Sequence, residues 1–389
     1  MDRLIDDLSP SLDIMDVIKK AIRAVPRHQF IPPVGLITPG KDSTAYLINR
    51  DADPHTWWDV VYSDTAVVTQ LHDGTVPLRE ATGGYTSSSS QPSTVADLLN
   101  LLDPDPGQRV LEIGTGTGWT SALLCHLVGE HGEVTSIEVD RAVAEQAANN
   151  IAAAGARPNL ILGDGALGYP GRAPYDRVHV TCGIRTVPYA WIQQCRPGAV
   201  IVLPYSPNFN SNFVLRLVVL PNGTAIGHFP SLASYMMMRS QRSVEPCAAR
   251  GPEEKHHLTT QVDPRTIAYA PAGADLVIST LTGLDSSTSD EPDEDGEAFR
   301  MWVSDPNDPN SWAVAIWRPG AVEHKVYQVG DRPLWDEVLE AYFRWVSWGR
   351  PNRERFGMTV TPEGQEIWLD SPDRIVGSHA GLQDELVNA

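Results

Sequence analysis

Between Gly114 and Gly118 the chain reads Gly-Thr-Gly-Thr-Gly, directly after the run Val110-Leu111-Glu112-Ile113 and directly before Trp119-Thr120. A buried strand that runs into small residues and then a helix lets the backbone approach a ligand closely, because glycine adopts torsions that a Cβ would penalise and a helix start presents free N–H groups. This pattern suits nucleotide binding. The spacing narrows the choice: a dinucleotide fingerprint needs Gly-x-Gly-x-x-Gly, and the residue three after Gly116 is Trp119. Gly-x-Gly-x-Gly fits S-adenosyl-L-methionine better, since that molecule has no pyrophosphate to seat. Gly114, Thr115, Gly116, Thr117 and Gly118 are the first candidate cofactor-binding residues.

Two acids follow at the right kind of place. Glu133-Val134-Thr135-Ser136-Ile137-Glu138-Val139-Asp140 reads as a short strand ending in a carboxylate, and Glu138 is placed to accept both ribose hydroxyls. Leu160-Ile161-Leu162-Gly163-Asp164-Gly165 reads as a third strand, whose Asp164, beside Gly165, could bond the adenine amino group. Singly, an acid at a strand end is most often a solvent-facing residue. Several at successive strand ends after a glycine turn point instead to one ligand.

The elements that must position these residues are strands separated by helical stretches, such as the alanine-rich run from Arg141 to Ala154, with Pro174 to Thr181 as a fourth strand. That alternation predicts right-handed βαβ units in a parallel sheet, with the ligand at the carboxyl edge. Beyond Val180 the runs Ala199 to Leu203 and Asn212 to Leu220, followed by the turn signal Pro221-Asn222-Gly223, predict an antiparallel close to the sheet. Before the glycine turn, Val17, Ile18, Ala21 and Ile22 share a helical face, as does Ile14, and Pro26 ends it. Residues 81–93 read as a loop in which Ser93 could cap a helix from Thr94 to Leu102.

The chain has 389 residues and a formal net charge of -19. Such a balance argues against nucleic acid or an anionic membrane as partner, because both require lysine and arginine patches. The cysteines Cys125, Cys182, Cys195 and Cys247 are scattered without a C-x-x-C pair, so neither a zinc site nor a disulfide framework is suggested. With no apolar run of the ~18 residues that span a bilayer and no signal-peptide pattern, a cytoplasmic protein is expected. Seven acids and no bases lie between Asp285 and Glu297, which predicts a solvated mobile loop. Seven of the eleven tryptophans follow it, Trp302, Trp312, Trp317, Trp335, Trp345, Trp348 and Trp368, and positions like theirs are more often core than groove. Trp312 to Trp317, His324 to Val329 and Gln365 to Leu369 read as strands, and Leu334 to Val346 as an amphipathic helix.

At this point the chain resembles the protein-L-isoaspartate O-methyltransferases. The resemblance rests on Val110 to Gly118, Gly163-Asp164-Gly165 and Ala173 to Val178. Two stretches outside the glycine turn carry more weight: Val25-Pro26-Arg27-His28-Gln29-Phe30-Ile31-Pro32 and Ser88-Ser89-Ser90-Gln91-Pro92. It implies an α/β fold, the Rossmann-like class I S-adenosylmethionine-dependent methyltransferase fold, with a C-terminal α+β extension. The expected divisions are 1–80, an N-terminal helical and substrate-side region; 81–240, the cofactor-binding domain; and 241–389, an extension that recognises the peptide and is dispensable for cofactor binding.

The resemblance also implies that Ser90 sits beside the acceptor carboxylate, with the register open by one residue to Ser89, and that S-adenosyl-L-homocysteine is the product. A carboxylate is already ionised at neutral pH, so it needs positioning rather than a general base. The extended tail is similar to relatives that accompany ribosomally made peptides, which implies methylation of an aspartate in a cyclised precursor peptide and collapse of the ester to aspartimide or isoaspartate. Broad isoaspartate repair is the alternative. Oligomeric state has no signature here.

Overall fold

The computed structural model describes residues 4–5, 15–38, 44–81, 83–242 and 256–381. Ile14 and Cys247, named above, lie outside them, as does residue 82 of the loop expected over 81–93. Helix α1 (Asp16–Ala24) buries Ile18, Ala21 and Ile22, the helical spacing read from the sequence, and ends ahead of Pro26. Strands β1 (Val34–Ile37), β2 (Tyr46–Asn49), β3 (Val67–Leu71) and β4 (Tyr85–Ser89) form an antiparallel sheet in the order β2-β1-β3-β4, with α2 (Pro54–Val61) inserted between β2 and β3.

Strand β4 corrects the loop expected over 81–93. Serine is a poor strand former in isolation, but pairing of Val67 with Ser89 and Val68 with Ser88 overrides that preference. The N-terminal unit thus continues past residue 80 to include the serine strand. Helix α3 (Pro92–Leu102) starts at Pro92, whose ring pre-sets the helical φ. Ser93 is therefore not the cap; its amide donates to the Asp64 carboxylate at 2.8 Å.

The large sheet begins at β5 (Arg109–Ile113) and continues through α4 (Trp119–Val128), β6 (Glu133–Glu138), α5 (Arg141–Ala153), β7 (Asn159–Leu162), β8 (Tyr175–Val180), α6 (Tyr189–Gln193) and β9 (Cys195–Tyr205). These five strands are parallel, and the order β9-β8-β5-β6-β7 reverses direction at β5, where a ligand crevice is expected. Strands β10 (Phe213–Val219) and β11 (Ala225–Leu232) add the antiparallel hairpin that the Pro221-Asn222-Gly223 signal implied.

Residues beyond 240 continue this architecture. They form β12 (His256–Thr260), α7 (Pro264–Ala268), α8 (Ala272–Thr282), β13 (Asp285–Ser289), β14 (Phe299–Asp305), β15 (Asp308–Trp317), β16 (His324–Val329), α9 (Leu334–Ser347), β17 (Phe356–Thr361), β18 (Gly364–Leu369) and β19 (Ile375–Ala380). Strands β12 to β16 make a separate five-stranded sheet, while β17, β18 and β19 join β11 and extend the main sheet to ten strands. One face of that sheet packs against α1, α3, α4 and α5. The other packs Leu111, Ile201 and Leu215 into one core with Leu276, Ile278, Met301 and Trp335 of the carboxyl-terminal third. A division at 240 therefore cuts both a continuous sheet and a continuous core.

The acidic run is also more ordered than composition suggested. Asp285–Ser289 is a paired strand, and Asp293 binds Arg300 and Arg318, bases that lie beyond the counted stretch. Among the tryptophans, Trp312, Trp335, Trp345 and Trp368 are buried, and Trp302 is exposed. The described residues contain no helix long and apolar enough to cross a membrane.

Candidate active site

A cavity of about 350 Å3 lies at the carboxyl edge of the parallel strands, where β5 meets β6 and β8. Gly114, Thr115, Gly116, Thr117, Glu138, Asp164, Gly165, Ser89 and Ser90 all line it. Segments separated by more than 70 residues thus converge on one space. Gly118 does not line it: a Cβ there would sit 2.7 Å from Cγ1 of Ile151, so this glycine allows α4 to pack on α5. Gly116, at φ +55, takes the left-handed torsion, and the space its missing Cβ leaves is 3.5 Å from the carbonyl oxygen of Ser88.

The two strand-end acids are held by backbone. One oxygen of Glu138 accepts from the Gly116 amide at 3.0 Å and the other from the Asp140 amide at 3.0 Å. Each carboxylate oxygen keeps a free lone pair, and the glycine turn is locked to the acid that would meet a ribose. Asp164 accepts from the Ala166 amide at 2.9 Å, which leaves its second oxygen for a ligand. Burial pushes the Cys182 thiol up, and the nearby charges of Glu138 and Asp164 push it the same way. Both acids therefore act on the same small volume.

Beneath the turn lies a buried polar knot. Ser121 and Ser136 both donate to Oε2 of Glu112, the latter at 2.6 Å, and the Ser136 and Thr115 hydroxyls are 2.7 Å apart. Burial pushes Glu112 up to about 7, with the two serines opposing and Glu138 reinforcing the shift.

Across the cavity, β4 presents its serines. The Ser89 hydroxyl is buried and has no hydrogen-bond partner among the described residues. Ser90 bonds the Tyr235 phenol, which burial pushes up to about 12 against that bond. A roof formed by residues 235–242 went unread in the sequence. Met236 and Met238 bracket Gly183 through backbone bonds of 2.8 and 2.9 Å. Arg239 joins Asp73 at 2.9 Å and Asp140 at 3.0 Å, and Arg242 joins Asp73 at 2.9 Å. No spacing rule points to this strap; its position just after the β10–β11 hairpin is the available signal. Among the described residues no cluster of His, Cys, Asp and Glu could hold a metal ion.

Residues 69–227 match the family model described as protein-L-isoaspartate(D-aspartate) O-methyltransferase (PCMT). Protein-L-isoaspartate O-methyltransferase 1 of Archaeoglobus fulgidus is 32% identical over 202 residues, 52% of this chain and 77% of the relative. The chain belongs to the protein-L-isoaspartate O-methyltransferase family. Methanopyrus kandleri protein-L-isoaspartate O-methyltransferase is 40% identical over 123 residues, 31% of this chain and 54% of its own. A solved protein-L-isoaspartate O-methyltransferase aligns over 95% of this chain and 99% of its own, with TM-score 0.53 and 23% identity, a likeness of fold that takes in the carboxyl-terminal third.

As a family member the chain is an S-adenosylmethionine-dependent methyltransferase. Its cavity fits that cofactor: a glycine approach at Gly116, two acids with free lone pairs, and a volume within the range of small-molecule sites. The bound cofactor supplies an electrophilic methyl group on a sulfonium. Among the chain's own residues, the strap from Tyr235 to Arg242 borders the cavity, and backbone amides hold Glu138 and Asp164.

Proposed function

We propose that this methyltransferase acts on the free α-carboxylate of an isoaspartyl residue, or on the side-chain carboxylate of an aspartyl residue, within a peptide seated between the cofactor and the serine strand. The observation that carries the reading is Ser89, which lines the same cavity as Gly116, Glu138 and Asp164 and whose buried hydroxyl has no partner among the described residues. A buried hydroxyl without a partner costs roughly 1–3 kcal/mol, which an acceptor carboxylate would recover by taking its hydrogen bond. In the reaction a carboxylate oxygen forms a bond to the methyl carbon as the methyl–sulfur bond breaks, and S-adenosyl-L-homocysteine leaves as a neutral thioether. Glu138 and Asp164 hold the nucleoside, and Ser89 and Ser90 orient the acceptor. A cytoplasmic site of reaction is part of this proposal, and the free thiols of Cys125, Cys182 and Cys195 are compatible with it.

A narrower reading takes the acceptor to be an ordinary aspartate in a cyclised, ribosomally made peptide, with the ester closing to aspartimide or opening to isoaspartate. It draws on one feature: Gln365 of the carboxyl-terminal third bonds the Val187 amide and the Arg185 carbonyl, a few residues after Thr181 and Cys182 of the cavity lining. Methyl-labelled S-adenosyl-L-methionine separates the readings. Base-labile label on generic isoaspartyl peptides supports repair; label confined to aspartate of a constrained peptide supports maturation. Absence of label on every aspartyl and isoaspartyl peptide would remove the carboxyl-transfer proposal.

A further inference from the structure

Arg27 is fully buried, and it lies outside the cavity lining. Its Nη1 donates to the carbonyl oxygens of Val61 at 3.1 Å and Ser63 at 3.5 Å. Its Nη2 donates to those of Thr65 at 2.8 Å, Ser89 at 3.2 Å and Ser90 at 3.0 Å. The guanidinium carbon lies 5.5 Å from the Trp119 ring centroid, and the Trp119 indole N–H donates to the Val25 carbonyl at 3.0 Å. One side chain therefore joins the segment after α2, the end of the serine strand and the first residue of the helix that follows the glycine turn.

The arrangement is not what stability alone would select. Five neutral carbonyls surround a buried cation, and Asp64 acts on it only at a distance, while its carboxylate holds Gln91 and Ser93. Desolvating a guanidinium is costly, and an apolar side chain in its place is often neutral or better. The geometry at the serines supplies a reason for the charge. Successive carbonyls of an extended strand point to opposite sides, yet those of Ser89 and Ser90 converge on one nitrogen. The strand must break at this point, and the break sets where the two hydroxyls aim.

We propose that Arg27 is a positioning residue for methyl transfer: it fixes the Ser89–Ser90 backbone, and through Trp119 the glycine turn, so that the acceptor carboxylate meets the cofactor in line. This rests on the reading of Ser89 and Ser90 as the acceptor contact. Arg27 touches neither substrate nor cofactor and acts entirely through these neighbours.

The test uses the full chain with Arg27→Lys, which keeps the charge but loses the planar fork that reaches both groups of carbonyls. Turnover on an isoaspartyl peptide is measured per S-adenosyl-L-homocysteine-binding site, well below each protein's melting temperature. Cofactor affinity should stay within about twofold while kcat falls on the order of 10²-fold, the loss that a misplacement of about 1 Å produces. Arg27→Ala gives an independent arm, because methylguanidinium should restore turnover in the vacated space. A purely structural role would lower the number of binding sites and leave turnover per site unchanged, and that result overturns the inference. So does Arg27→Ala that binds cofactor but gains nothing from methylguanidinium, or a pair of variants that bind no cofactor at all. Loss of turnover in Ser89→Ala or Ser90→Ala with full turnover in Arg27→Lys would discard the Arg27 role alone. Full turnover in both serine variants and in their double variant would discard the acceptor reading, and the Arg27 role with it.

Discussion

The side chain of Gln365 in β18 accepts the Val187 amide at 2.9 Å and donates to the Arg185 carbonyl at 3.0 Å, across a separation of 178 residues. Gln241 completes the segment, accepting the Arg185 and Thr186 amides at 2.8 and 2.9 Å. Two glutamines thus satisfy a buried irregular stretch beside the cavity, and one of them comes from the far end of the chain. Cutting the chain at 240 removes Gln241 and Gln365, strips β17 from β11 and opens the shared core. The expected outcome is an insoluble or unfolded fragment that binds no cofactor, the reverse of the dispensable extension read from the sequence. A soluble 1–240 fragment with full-length affinity for S-adenosyl-L-homocysteine would refute this. Gln365→Ala in the intact chain should cost about 1–3 kcal/mol by urea unfolding, through the groups left unpaired.

Glu138→Ala should weaken cofactor binding by on the order of 1.5–3 kcal/mol, the range for hydrogen bonds to a charged group. Two losses combine: the ribose contact and the tether on the Gly116 amide. Glu138→Gln separates them, since the amide oxygen can still accept from Gly116 while the charge is gone. Titration calorimetry should rank wild type above Glu138→Gln above Glu138→Ala. Equal affinity in all three would take Glu138 out of the site.

What was legible in the sequence had its cause nearby in the chain. The glycine turn, Glu138 and Asp164 belong to local strand–turn–helix patterns, and their placement at strand ends followed from the pattern itself. Gly118 was misassigned because the same residue type serves ligand approach and helix packing, and only Ile151, far along the chain, decides between them. The serine strand was hidden because its pairing partner is β3 and not its own composition. The strap was hidden for a similar reason: Arg239 acquires its place from Asp73 and Asp140. Counting acids from 285 to 297 missed Arg300 and Arg318, which reach back and hold the Asp293 carboxyl down to about 2.

The serine register yields a third prediction. Ser87 and Ser89 are the buried positions of β4, and Ser87 already receives a hydrogen bond from Thr69 at 3.1 Å. Ser89 has its hydroxyl free, whereas Ser90 shares its own with Tyr235. Ser89→Ala should therefore lower kcat with cofactor affinity unchanged, and Ser90→Ala should do so as well, with Tyr235→Phe reproducing part of the Ser90→Ala effect. Steady-state rates at saturating S-adenosyl-L-methionine measure all three. If Ser90→Ala alone is impaired, the free Ser89 hydroxyl has no part in the acceptor contact.

Glu112 supplies a pH dependence with a definite sign. Its folded pKa of about 7 lies above the ordinary glutamate value of 4.5, so between those values the native state holds a proton that the unfolded state has released. The stability it contributes is complete below about pH 4.5 and is lost as pH rises through 7. His179, buried and pulled down to about 4, runs the opposite way: its contribution is present above 6.5 and lost as pH falls through 4. The wild-type curve therefore mixes two opposed slopes, and Glu112→Gln isolates one. Glutamine mimics the protonated acid, accepting from Ser121 and Ser136, and its cost at the unpaired second position does not depend on pH. The stability of Glu112→Gln relative to wild type should rise between pH 5 and pH 8, by up to roughly 3 kcal/mol at about 1.4 kcal/mol per pKa unit. Urea unfolding at the two pH values measures it, and a difference that stays flat would mean that Glu112 is ionised across the whole range in the folded protein.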